Sequence, residues 1–151
     1  MQDFVHLHVH TQYSILDGQA SIPRLVDKAI ANGMRGIAVT DHGDMFGIKE
    51  FFNYVNKKNG GTNGEIKDLK KKIAALESGK AESENPEAEL AACREQLEAA
   101  KKRLFKPIIG CEMYVARRSL ELKDGKQDQS GYHLVVLAKN LKGYHNLIKL
   151  V

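Results

Sequence analysis

The sequence predicts an α/β fold with parallel strands, and two observations support this prediction. Short apolar runs alternate along the chain with segments of helical periodicity, which is the pattern of strand–helix–strand units. The later runs, KPIIGCEMYV and HLVVLAK, are continuously apolar, which is typical of parallel strands buried on both faces. Polar residues able to carry chemistry lie close to the ends of these runs. The pattern therefore predicts a parallel sheet with a site at one edge.

The first strand is predicted over about Phe4–His10, in the stretch FVHLHVH. Side chains alternate between the two faces of a strand, so His6, His8 and His10 share one face. A buried row of imidazoles needs a hydrogen-bond partner for every ring, which makes it poor packing material. The row therefore indicates metal binding. His6 is assigned to packing or to support of the ligands, and His145, on a charged helix, to structure.

Helices are predicted after each of the first two strands, the second of which covers about Gly36–Thr40. In SIPRLVDKAIANG, Ser21 is a candidate N-cap, and Gly33 can end the helix. Its predicted buried stripe is Ile22, Leu25, Val26, Ala29 and Ile30. A second helix is predicted over about Phe46–Lys58, and a last one starts after the candidate cap Asn140.

The segment 61–105 interrupts the alternation. It contains two helical runs, and Asn85 followed by Pro86 marks the start of the second. Apolar residues recur at spacings of three and four, the seam of a coiled coil, at Ile66, Leu69, Ile73, Leu76, Leu90, Cys93, Leu97, Ala100 and Leu104. The pattern predicts an antiparallel helical hairpin inserted into a domain formed by 1–60 and 106–151. We expect a solvated insertion, with a docking arm for a partner as the alternative.

Composition narrows the class of protein only mildly. The net charge of +4 over 151 residues permits an anionic partner such as DNA without arguing for one. The two cysteines, Cys93 and Cys111, lie far apart, which argues against a disulfide framework or a zinc ribbon. No apolar run reaches the length of a membrane span, and the first residues lack a signal-peptide pattern. We therefore expect a cytoplasmic protein without a membrane partner.

Candidate ligands lie at or near the ends of the predicted strands, where active sites of α/β proteins are built. They are His8, His10, Asp17, Asp41, His42, Glu112 and His133. Asp17 lies in the loop after the first strand, whereas His133 precedes its apolar run and fits the rule less well. Imidazole and carboxylate ligands in this mixture suit Zn or Mn, with Mg or Fe as alternatives. Two ions bridged by a carboxylate would suit the hydrolysis of phosphate esters.

Four segments resemble, in order, the signatures of the PHP (polymerase and histidinol phosphatase) family: HLHVHTQYSILDG, AVTDHGDMFGIKEF, KPIIGCEMYV and YHLVVLAKNLKGYHNL. Within it, YSILDG and LAKNLKGYHNL resemble the domain at the amino terminus of bacterial DNA polymerase III alpha subunits rather than the phosphatases. The resemblance implies a distorted (β/α)7 barrel, of which this chain supplies the N-terminal part, interrupted by the hairpin. It also implies further ligands beyond Val151, so we expect the chain to be a fragment.

The resemblance implies roles for single residues. The implied metal ligands are His8, His10, Asp17, His42, Glu112 and His133. Glu112 and Asp41 are the implied catalytic residues. Glu112 is implied to bridge the ions, and Asp41 to orient a metal ligand without binding the ion itself.

The activity implied for the chain is 3′–5′ exonuclease-type hydrolysis of a phosphodiester, within a DNA-directed DNA polymerase that acts in replication. The implied partners are DNA, the remaining polymerase domains and other replisome subunits. Two alternatives stay open. One is a free-standing phosphatase of the histidinol-phosphatase kind, and the other is a metal-stabilised structural or docking domain without catalysis.

Overall fold

The computed structural model describes residues 4–81 and 83–151, and in these ranges it contains five helices and three strands. The elements are α1 (Ile22–Ala31), β1 (Gly36–Val39), α2 (Ile48–Lys58), α3 (Gly60–Glu77), α4 (Pro86–Arg103), β2 (Lys106–Val115), β3 (Tyr132–Leu137) and α5 (Leu141–Leu150). The predicted mixed α/β class is confirmed. The chain divides into a sheet unit, which ends at Val55 and resumes at Lys106, and a helical unit, Asn56–Phe105.

The three strands form one sheet in the order β1-β2-β3. β1 pairs parallel with β2, in the register that places Val39 opposite Ile109. β2 pairs antiparallel with β3, in the register that places Tyr114 opposite His133. The expectation of parallel strands is therefore wrong for β3, and this strand is largely exposed rather than buried on both faces. The segment between β2 and β3 contains no helix, so the chain makes a reversing connection and not a crossover.

The predicted first strand over Phe4–His10 is not a regular strand. Its backbone follows β1, because Ala38 N–H donates to the His6 carbonyl and Thr40 N–H to the Val9 carbonyl, both at 2.9 Å. Between these two bonds the first segment advances three residues while the β1 side advances two, as in a β-bulge. The strict alternation of faces is lost there, so the three histidines do not form one uniform row.

Helix α1 ends as predicted, at a glycine in the left-handed region. Gly33 has φ +74°, its N–H donates to the Ile30 carbonyl, and the Met34 N–H donates to the Ala29 carbonyl. These bonds are those of a Schellman motif. The predicted cap at the other end is wrong in its mechanism, because the Ser21 side chain makes no capping hydrogen bond. Ile30 is 39% exposed and lies outside the buried face.

The core of the sheet unit fixes the end of β1. All four residues of β1 are buried, and the two polar residues that follow, Thr40 and Asp41, are completely buried as well. Helix α1 contacts β1, and α5 contacts β2. The largest fully buried apolar side chains of this unit are Ile22, Val26, Ile37, Val39, Phe51, Val55 and Leu147. The carboxyl end of β1 is therefore a rigid place from which to present ligands.

In the helical unit, α3 and α4 pack against each other. Glu65 near the start of α3 pairs with Arg103 at the end of α4, and Lys72 pairs with Glu89 near the start of α4. The two helices therefore run antiparallel. The residues of the apolar seam are all buried or half-buried. Among the residues that the structure describes, no helix has both the length and the apolar character of a membrane span.

Candidate metal centre

Glu112 is the centre of a cluster of imidazoles. It lies on β2 and is 8% exposed. Four ring nitrogens face its carboxylate: His10 Nε2 at 2.9 Å, His42 Nδ1 at 2.9 Å, His133 Nδ1 at 3.0 Å and His8 Nε2 at 3.8 Å. The rings come from three separate parts of the sheet unit, namely the first segment, the turn after β1 and the start of β3. The fold thus brings distant histidines to one carboxylate.

The charge of Glu112 is set by competing effects. Burial raises the pKa of its carboxyl, but the hydrogen bonds from His42 and His133, together with the nearby His10 and His8 rings, bring the pKa below its ordinary value. The group is therefore an anion at neutral pH. An anionic carboxylate that exposes both oxygens to imidazoles has the chemistry of a bridging ligand.

The antiparallel course of β3 explains why His133 joins the cluster although it precedes its apolar run. The amino end of β3 lies beside the carboxyl end of β2, with Tyr114 opposite His133. His133 therefore reaches the same edge of the sheet as the residues that follow β1. His133 departs from the expectation that ligands follow the carboxyl ends of strands because β3 runs antiparallel to β2, whereas a parallel strand was predicted.

The six candidate ligands form one continuous set. Three groups have ligand atoms within 4.8 Å of one another: His8, His10 and Glu112; His10, Asp17 and His42; and His42, Glu112 and His133. Each pair of groups shares one member. Imidazole nitrogens and carboxylate oxygens are the donors that Zn, Mn and Fe accept, so the residues present fit a divalent metal.

Residues of both units, including the candidate metal centre, match a known family. The family model of the PHP domain matches residues 6–151. The chain belongs to the PHP domain family. It is 37% identical over 97% of its length to DNA polymerase III subunit alpha of Borreliella burgdorferi, and 36% identical over 97% to that of Treponema pallidum. The subunit of Aquifex aeolicus is 30% identical over 99% of this chain.

The chain covers only 9% of the first two of these proteins and 10% of the third. It thus spans about a tenth of the length of the curated relatives it matches. The predicted resemblance to the PHP family and to polymerase III alpha subunits is confirmed.

Asp41 of the PHP domain makes different contacts from those implied by the resemblance. Its buried carboxylate accepts the Thr11 N–H at 2.6 Å and the hydroxyls of Thr11 and Ser14, each at 2.9 Å. Among the described residues, the hydrogen bonds of this carboxylate go to the loop and to no histidine ring. The Ser14 Oγ in turn accepts the His42 N–H at 2.9 Å. Asp41 therefore fixes the loop that joins His10 to Asp17.

Two hydroxyls in the PHP domain contact the imidazoles and were missed by the sequence reasoning. Thr40 Oγ1 lies 3.0 Å from His8 Nδ1, and the Tyr114 hydroxyl contacts His42 Nε2. Thr and Tyr are common strand residues, so their type carries no signal. The available signal was their position in the sequence. Thr40 directly precedes Asp41, and Tyr114 lies two residues after Glu112.

A cleft opens beside the candidate metal centre of the PHP domain. Its volume is about 670 Å³, and it is lined by His10, Asp17, Gly18, Gln19, Ala20, Ser21 and Arg24. It thus combines two candidate ligands with one guanidinium. Within the described residues, Arg24 makes no ion pair.

Proposed function

We propose that this chain is the amino-terminal PHP segment of a bacterial DNA polymerase III alpha subunit, with a metal-dependent phosphoesterase site that hydrolyses the 3′-terminal phosphodiester of DNA. The observation that carries the catalytic part is the convergence of four imidazoles on the Glu112 carboxylate. Its partners would be DNA, the other polymerase domains and further replisome subunits. The similarity to three polymerase subunits favours this origin over a free-standing phosphatase.

In the proposed reaction, the residues of this chain bind the ions and orient the ester. Glu112 and the four histidines would hold divalent ions, which supply Lewis-acid polarisation and a water of lowered pKa. Asp17, half exposed and 3.7 Å from His42 Nδ1, would complete the ligand set on the cleft side. Asp41 keeps the two ligand segments in register through the loop that it binds. Rigid placement of these groups is what orients an ester for attack.

Arg24 is the residue that we assign to substrate binding. Its guanidinium lines the same cleft as His10 and Asp17. A planar guanidinium forms paired hydrogen bonds with a phosphate, and the net charge of +4 does not oppose an anionic substrate. A phosphodiester held by Arg24 would have its phosphorus beside the ligands of the metal centre.

The test is a nuclease assay on the protein produced from its complete gene, loaded with Zn²⁺ or Mn²⁺. We expect release of nucleotides from the 3′ end of a labelled oligonucleotide, loss of release in Glu112→Gln, and unchanged release in Glu121→Gln. Glu121 is an exposed residue of the segment between β2 and β3. Arg24→Ala should raise the KM for DNA more than it lowers kcat.

Two other outcomes of this assay would decide for the alternatives. Cleavage of a small phosphate monoester without cleavage of DNA would favour a phosphatase. Metal binding without either activity would favour a metal-stabilised structural domain.

A further inference from the structure

We infer that the hydroxyls of Thr40 and Tyr114 are positioning groups of the candidate metal centre. Each contacts the nitrogen of one imidazole that does not face Glu112, and so leaves the opposite nitrogen as the ligand atom. This inference rests on the proposed metal site. It goes further, because it assigns which nitrogen of His8 and His42 binds the ion and what enforces that choice. Neither hydroxyl would touch the metal.

Thr40 holds His8 by its ring nitrogen Nδ1. Its Oγ1 lies 2.9 Å from the Val9 N–H, 3.3 Å from the Val9 carbonyl and 3.0 Å from His8 Nδ1. A threonine hydroxyl has one donor and two acceptor sites. Oγ1 accepts the Val9 N–H, and its remaining sites face the Val9 carbonyl and His8 Nδ1. The hydroxyl therefore occupies Nδ1 of His8.

His8 Nε2 is therefore the nitrogen available to an ion, and it faces the Glu112 carboxylate at 3.8 Å. With an ion on Nε2, the ring proton would lie on Nδ1, where Thr40 Oγ1 can accept it. Thr40 is completely buried and immediately follows β1, so its hydroxyl has little freedom to turn away. The geometry thus prepares Nε2 of His8 as the ligand atom before any ion arrives.

Tyr114 does the same for the opposite nitrogen of His42. It lies two residues after Glu112 on β2, so both side chains project from the same face of the strand. Its hydroxyl contacts His42 Nε2, while His42 Nδ1 faces Glu112 at 2.9 Å and Asp17 at 3.7 Å. Without an ion, His42 Nδ1–H donates to the anionic Glu112 carboxylate. With an ion on Nδ1, the ring proton would lie on Nε2, where the phenol oxygen accepts it.

The ring of Tyr114 also sets the spacing of two ligands. It meets the His42 ring edge to face at 4.7 Å between centroids and the His133 ring at 5.0 Å. Edge-to-face contacts of this kind fix ring planes as well as distances. Removal of the hydroxyl alone therefore separates its hydrogen bond from the ring contact.

The first experiment is long-range ¹H–¹⁵N NMR on the histidine-labelled, zinc-loaded wild-type protein. We expect zinc on Nε2 of His8 with the ring proton on Nδ1, and zinc on Nδ1 of His42 with the ring proton on Nε2. The reverse tautomer at either ring would overturn the inference for that ring. This measurement uses only the wild-type protein, so it does not depend on whether a variant folds.

The second experiment is zinc affinity by chelator competition. Thr40→Val and Tyr114→Phe should each weaken binding about 10- to 100-fold, the usual effect of removing the partner of a metal-bound imidazole. Thr40→Ser keeps the hydroxyl and should restore affinity. Matched controls are Thr62→Val on α3 and Tyr132→Phe, whose ring lies under Arg117. Both controls should bind zinc as the wild type does.

The two proposals fail in different ways. Wild-type protein that binds no zinc would refute the proposed metal site. Wild-type binding with equal affinity in Thr40→Val and Tyr114→Phe would refute only the positioning role of these hydroxyls.

Discussion

His133 Nδ1 lies 3.0 Å from Glu112 Oε1, although the two residues belong to strands that run in opposite directions. The pairing of Tyr114 with His133 places the start of β3 beside the end of β2. A candidate ligand from the beginning of β3 thereby joins candidate ligands from the first segment, from the turn after β1 and from β2. The antiparallel strand is what adds the fourth imidazole to the centre.

The first prediction tests this fourth imidazole. His133→Ala should reduce the zinc content of the purified protein and weaken zinc binding at least about tenfold, because the protein loses one of its candidate metal ligands. His145→Ala on α5 should have no effect, since His145 lies outside all three ligand groups. Elemental analysis together with chelator competition measures both variants. Equal zinc content in His133→Ala and wild type would remove His133 from the ligand set.

The second prediction concerns Asp41. Asp41→Asn replaces an acceptor of three hydrogen bonds by a group with an N–H₂ end, which faces donors from Thr11 and Ser14. We expect a loss of about 2–4 kcal/mol in the free energy of unfolding, measured by urea denaturation. Zinc affinity should also fall, since the loop carries Asp17. Asp68→Asn, exposed on α3, is the control and should change stability by less than about 0.5 kcal/mol.

Several parts of the fold follow from local signals in the sequence. Asn140 accepts from the Gly143 N–H at 2.9 Å and Asn85 from the Ala88 N–H at 3.2 Å, as the cap patterns predict. His42 and Glu112 form an isolated parallel bridge, because both lie three residues beyond the last parallel pair, Val39 and Ile109. The two caps depend on residues a few positions apart in the sequence. The bridge depends on the rule that the carboxyl ends of parallel strands lie at the same edge of a sheet.

The features that the sequence could not predict depend on tertiary context. The direction of β3 is decided by the reversing connection after β2, which leaves no pattern in the strand itself. The bulge between His6 and Val9 adds a single residue, which periodicity cannot detect within so short a run. The roles of Thr40 and Tyr114 depend on which rings lie across from them.

The third prediction uses two glycines with opposite surroundings. A Cβ on Gly18 would lie 1.9 Å from the Thr11 carbonyl oxygen, whereas a Cβ on Gly64 would meet nothing within 4 Å. Gly18→Ala should destabilise the protein by about 1–3 kcal/mol and displace the neighbouring Asp17. Gly64→Ala, inside α3, should stabilise its helix by about 0.5–1 kcal/mol. Urea denaturation curves that show the same sign for both variants would contradict this account.

The fourth prediction is a pH effect in the segment between β2 and β3. Hydrogen bonds from Arg118, with Nε 2.9 Å from Oδ1, and from the Asp124 N–H lower the pKa of Asp128 below its usual 3.8. A carboxyl with a lowered pKa in the folded state stabilises that state above pH 3.8. This stabilisation is lost as pH falls through the folded-state pKa.

NMR titration of the Asp128 carboxyl measures this effect. Arg118→Gln should raise its pKa toward 3.8, whereas Arg94→Gln, whose Arg pairs with Glu77 in the helical unit, should not. An unchanged pKa in Arg118→Gln would show that the ion pair does not form in solution.

The last prediction concerns the helical unit, which we propose to be an insertion. Asn59 Nδ2 donates to the Phe105 carbonyl at 2.8 Å, and the Phe105 N–H donates to Asn59 Oδ1 at 3.0 Å. The two ends of the helical unit are therefore held together, so a short glycine-rich turn can replace residues 61–105. The buried seam residues of α3 and α4 contact one another and leave with the deletion.

In the protein from the complete gene, the deletion should preserve a single cooperative unfolding transition and wild-type zinc affinity, because all six candidate ligands lie in the sheet unit. Circular dichroism melts and chelator competition measure these properties. A matched variant, His10→Ala in the full-length background, should show the reverse pattern, with a normal melt but weakened zinc binding. Loss of cooperativity on deletion would show that residues 61–105 belong to the core of the domain.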